Sequence, residues 1–149
     1  MRYHHTQKGP IFLFMLTIAI ALAVSAGLFW NSGFVAALLL FVSALFLFFS
    51  LSFRQLTVED QGEYLALRFG PLPLFGTRIP YAAMTAAEAD QTSLFDGLGI
   101  HYFLGHGWTY NLWGSECVVI HLGNRVVRVG SDDVANLLSF LNGTALHVH

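Results

Sequence analysis

Charge is what this chain has least of. Asp, Glu, Lys and Arg make up 11% of its 149 residues, against roughly a quarter in soluble domains. Between residues 11 and 53 there is no Asp, Glu, Lys, Arg or His at all. A soluble domain of this length has no interior able to hide so long an uncharged stretch. Cysteine is nearly missing too: Cys117 stands alone, which excludes an internal disulfide. Lysine occurs once, at Lys8, and from Arg54 onward five arginines face nine acids, a balance of −4. Nucleic-acid binders need clustered cations to displace phosphate counterions, so no nucleic-acid partner is expected. Cys-x-x-Cys and His-Glu-x-x-His spacings are absent. The seven histidines are therefore read as tail and loop residues, with no metal site and no cofactor expected; a histidine-based metal protein is the weaker alternative.

What the sequence does have is apolar residues, 55% of the chain. Residues 11–30 and 34–53 are each long enough to cross a hydrocarbon core of about 30 Å at 1.5 Å per residue. Asn31-Ser32-Gly33 between them, beside the interfacial aromatic Trp30, forces a tight antiparallel hairpin through the bilayer. The run at Ala23-Val24-Ser25-Ala26 imitates a signal-peptide cleavage site, but the apolar stretch continues to a full span and a second span follows at once. Small residues recur every four positions at Ala19, Ala23 and Gly27 and every seven at Ala36, Ser43 and Ser50, the expected helix-packing seam. Arg2 and Lys8 precede the hairpin, Arg54 follows it, and the turn has no cation. The positive-inside rule then puts both termini and the following domain in the cytoplasm, at an inner (plasma) membrane.

The division expected is a tail over 1–10, the hairpin over 11–53, a β-rich domain over 54–142 and a tail over 143–149. Within the domain, short alternating runs are punctuated by glycine. Strands are expected near 55–58, 65–69, 77–89, 100–104, 108–113, 117–122 and 125–129. Gly123-Asn124 is a two-residue hairpin signal joining the last two. Ser131-Asp132-Asp133 offers a helix start, and Val134, Leu137, Leu138 and Leu141 then follow the i, i+3, i+4, i+7 spacing of one apolar face.

Seven antiparallel strands closed by a C-terminal helix is the pleckstrin-homology-like (PH-like) plan. The chain resembles bacterial PH-like membrane proteins with an N-terminal transmembrane hairpin at Ile79-Pro80-Tyr81, at Gly97-Leu98-Gly99-Ile100 and from Arg125 through Asp133. The resemblance spans roughly residues 50–141. It implies a binding or scaffolding domain, often self-associating, with no catalytic residues to carry over. His101 stands where family members often have arginine.

No catalytic constellation is visible. The dinucleotide fingerprint fails, since its third glycine would fall at Tyr102, and no Gly-x-Ser-x-Gly elbow presents a nucleophile. Activity as an enzyme is not expected. Trp108 and Tyr110 share one strand face by parity and Trp113 the other; these aromatics are the expected contact surface for a protein partner or a second copy. Headgroup sensing is the alternative, which the domain's acidity disfavours. Strand direction puts the loop with Leu72, Leu74 and Phe75 at the bilayer, and the turns at 59–62 and 90–99 away from it.

Overall fold

The structure, a computed structural model, describes residues 2–71, 74–92, 99–103 and 107–145. The chain begins with a strand, β1 (His4–Lys8), which leads into helices α1 (Ile11–Leu28) and α2 (Gly33–Ser52). Each helix is long and apolar enough to cross a membrane. Then come β2 (Gln55–Asp60), β3 (Tyr64–Phe69), β4 (Phe75–Pro80), β5 (Ala86–Gln91), β6 (Gly99–Phe103), β7 (Gly107–Asn111), β8 (Glu116–Leu122), β9 (Arg125–Gly130) and α3 (Val134–Phe140), which runs on into a wider turn, Leu141–Ala145.

Among the described residues nine strands form two sheets instead of the seven expected, in the orders β1-β2-β3-β4 and β5-β8-β9-β7-β6. Two differences account for the count. Within the stretch expected as a tail, His4–Lys8 form a strand, β1, which pairs with β2 from His4 opposite Glu59 to Lys8 opposite Gln55. His-His-Thr-Gln-Lys carries no apolar alternation, so nothing in its composition marks it as a strand. The single strand expected over 77–89 is two strands in different sheets, parted by a short helical turn at Tyr81–Ala83. Pro80 ends β4 because it has no N–H to continue a ladder.

The two apolar helices are thus an insertion between paired strands, and the β1–β2 ladder carries their antiparallel arrangement into the domain. Gly70 secures the junction. Its φ of +67° is left-handed, and a Cβ there would sit 2.5 Å from the Ser52 carbonyl oxygen at the end of α2, so only glycine fits. The core lies between the sheets. Leu56, Val58, Leu65, Leu67, Phe69 and Ile79 from the first sheet meet Val118, Ile120, Val127 and Val129 from the second, with Leu137 and Leu141 of the C-terminal helical segment closing one end.

Candidate functional site

The register of the second sheet sets one continuous inner face. Val118, Val129 and Tyr110 are cross-strand neighbours, as are Ile120, Val127 and Trp108, and Tyr102 pairs with Trp108. Paired residues project to the same side of a sheet, so Trp108 and Tyr102 extend the buried core face of β8 and β9 outward across β7 and β6. Among the described residues the first sheet ends at β4, before it reaches them. Tyr102 is 56% exposed and Trp108 46%, although their rings contact each other at 5.4 Å and Trp108 stacks on Tyr110 at 6.2 Å.

The result is a groove of about 630 Å³ between the β4 edge and the uncovered part of the second sheet. Thr77, Arg78 and Ile79 form one wall, and Tyr102, Trp108, Tyr110, Leu122, Arg125 and Val127 are among the residues opposite. Among the described residues its charged lining is Arg78 and Arg125, with no acid. Arg125 shares the inner face with Val127 and Val129 by parity. Arg78 lies on the other face of β4, its guanidinium 5.0 Å from the centre of the Tyr64 ring. Arg128 points away from the groove and reaches Asp90 at 3.8 Å.

Of the expected contact aromatics, the structure brings Trp108 and Tyr110 together and separates Trp113. Trp113 instead stands over the start of the hairpin: a side chain at Gly9 would run into it, 2.8 Å from its Cβ, and Gln7 donates to its carbonyl at 2.7 Å. Tyr102 and Arg125 complete the groove and were missed, because their place depends on which strands pair. The parallel match of β7 with β9 joins residues far apart in sequence and leaves no local signature.

The helix seam is corrected in one half. Ala19, Ala36, Ser43 and Ser50 are buried between the helices, whereas Ala23 and Gly27 face outward. Ala26 takes their place. Ser43 donates to the Ala19 carbonyl at 2.7 Å and Ser50 to the Phe12 carbonyl at 2.9 Å, a register that sets Ala26 opposite Ala36. Both helices therefore repeat their small residues every seven positions, the 3.5-residue periodicity of antiparallel helices that wind gently around each other.

In the loop expected at the bilayer, Leu72 lies outside the described residues. Leu74 is 62% exposed, and Phe75 stacks on Phe53 at 5.8 Å and contacts Phe48 and Phe49, so this end of the domain rests on the end of α2. Turn 59–62 is at the other end of the same strands. The placing of 90–99 away from the hairpin is not met at its start, where Thr92 donates to the Ser115 carbonyl at 2.7 Å, in the turn that follows Trp113. Strand alternation carries through one sheet but not across the break between two. Residues 93–98 lie outside the described residues.

At the far end of β1, Tyr3 donates to Asp133 at 3.3 Å, stacks on Phe140, and His5 meets Asp132 at 2.6 Å. Tyr81 donates to Asp60 at 2.8 Å. Burial, reinforced by these carboxylates, holds both phenols well above their ordinary range, so each remains a donor. Among the described residues no three His, Cys, Asp or Glu side chains gather as metal ligands, and His106, His147 and His149 lie outside them. The chain matches no family model and no curated protein.

Proposed function

We propose that this chain is a membrane-anchored PH-like binding or scaffolding module, an accessory or self-assembling part of a membrane complex. The observation that carries the reading is the uncovered inner face of the second sheet, where Tyr102 and Trp108 continue the core beyond the cover of the first. Exposed aromatics that extend a core mark a contact surface, since burying them removes apolar area from water at little entropic cost. The PH-like plan is supported by strands β1 to β5, β8 and β9 with a C-terminal helix; on that plan the helical hairpin is inserted after the first strand and β6–β7 after the fifth. The anchor is the hairpin α1–α2. Arg2, Lys8 and Arg54 on its open side favour a cytoplasmic domain at an inner membrane.

The test is solubilisation from native membranes in mild detergent, with size measurement and identification of what travels with the chain. Wild type should carry a protein partner or a second copy, and Trp108→Ala combined with Tyr102→Ala should release it. A monomer without partners in both cases would refute the reading.

A further inference from the structure

We infer that the groove beside β4 receives an extended segment of a partner protein that adds to the first sheet as a fifth strand, with apolar side chains turned inward and carboxylates turned outward. This rests on the reading of the chain as a binding module and names what it binds.

Among the described residues β4 has a strand on one side only. Tyr81 donates its amide to the Glu63 carbonyl at 3.0 Å, which sets the alternation of the antiparallel ladder. Phe75, Thr77 and Ile79 turn their main chain toward β3, and Gly76, Arg78 and Pro80 turn theirs toward the open side. Proline supplies no N–H, so the edge offers donors at Gly76 and Arg78 and stops there. A strand hydrogen-bonded at these positions lies over Tyr102 and Trp108, the part of the inner face that four strands fail to cover and a fifth would.

Side-chain chemistry follows from the pleat. Residues of the added strand that face inward meet Ile79, Trp108 and Tyr102 and must be apolar. Those facing outward lie across from Arg78, so carboxylates complement it; Arg125, on the inner face, adds positive charge on the groove's other wall. Cations are excluded by the same two guanidiniums. Main-chain pairing would supply affinity and alternate side chains the selection, as in other strand additions at a sheet edge.

The experiment uses the full chain in nanodiscs of neutral phosphatidylcholine and a fluorescent eight-residue peptide of alternating Val and Glu. Saturable binding is expected, weakened about fivefold by Arg78→Gln and more than tenfold by Trp108→Ala. The Val/Lys peptide should not bind. Two further probes N-methylate either every Val or every Glu amide; one set should abolish binding to wild type and the other leave it. Equal binding by both N-methylated peptides, or no preference for Glu over Lys, overturns the inference. So does a groove filled by a second copy, seen as a dimer that excludes the peptide, or by anionic lipid, seen as quenching by phosphatidylglycerol nanodiscs. Peptide failure alongside a partner that Trp108→Ala and Tyr102→Ala still release sinks this inference and leaves the binding-module reading standing.

Discussion

Replacing Ala26 by leucine should force α1 and α2 apart, while the same replacement at Ala23, nearly one turn earlier, should be almost silent. Ala26 is 1% exposed and Ala36 opposite it 4%, so the helix backbones are in near contact there. Leucine brings three more carbon atoms to a line with no room for them, and overpacking of this kind costs about 1–3 kcal/mol. At Ala23 the added carbons point outward, where lipid or detergent accepts them, and the cost should be near zero. The two variants should therefore differ about 5- to 150-fold in folding equilibrium. Ser43→Ala is a milder probe of the same line. It removes the hydroxyl that donates to the Ala19 carbonyl at 2.7 Å, yet that carbonyl keeps its place in the helix, so the loss should be about 0.6 kcal/mol. The assay is unfolding in mild detergent by titration with dodecyl sulfate, followed by helical circular dichroism. If Ala23→Leu proves as damaging as Ala26→Leu, the seam runs along the every-four line of Ala19, Ala23 and Gly27 and the seven-residue register is wrong.

Gly70→Ala should destabilise the junction by more than the roughly 1–2 kcal/mol of a left-handed alanine, since its methyl meets the Ser52 carbonyl; thermal unfolding against Gly62→Ala, where φ is +87° but nothing is within 4 Å, separates clash from strain. Cys117 is fully buried, and burial together with the Asp90 carboxylate pushes its thiol up to about 11, so it should resist maleimide at pH 7.5 until the domain unfolds. Because this raised value favours the folded state only while the thiol is protonated, the contribution should fade as pH climbs from about 8.5 toward 11, and Cys117→Ser should flatten that limb in unfolding titrations. Glu59 shifts the other way: the Gln61 amide and the Arg68 guanidinium hold its carboxyl below the ordinary range. Its contribution should be complete above about pH 4.3 and lost as pH falls through the lower folded value, and Glu59→Gln should remove that acid-side loss. With Cys117 inert, a cysteine at Ser32 should label with an impermeant reagent in intact cells; labelling only after lysis would reverse the proposed orientation.

The sequence alone determined the elements whose signal is local. Two uncharged runs can only be long apolar helices, and three turn residues between them can only make a hairpin. The period-two runs from Gln55 to Phe69, the Gly123-Asn124 turn and the apolar stripe of Val134, Leu137, Leu138 and Leu141 are written in neighbouring residues, and so is the shared face of Trp108 and Tyr110. Tertiary structure alone decided what depends on partners distant in the chain. β1 is polar along its whole length and becomes a strand only because β2, on the far side of the hairpin, offers it a ladder. Ala26 replaces Ala23 in the seam because the antiparallel register, fixed by Ser43 and Ser50, selects a seven-residue repeat that a single helix does not reveal. The groove exists because β7 pairs in parallel with β9, which spreads five strands opposite four and leaves Tyr102, Trp108 and Arg125 beyond the edge of β4. Periodicity assigns a side chain to a face, but whether anything covers that face depends on how many strands the opposing sheet has.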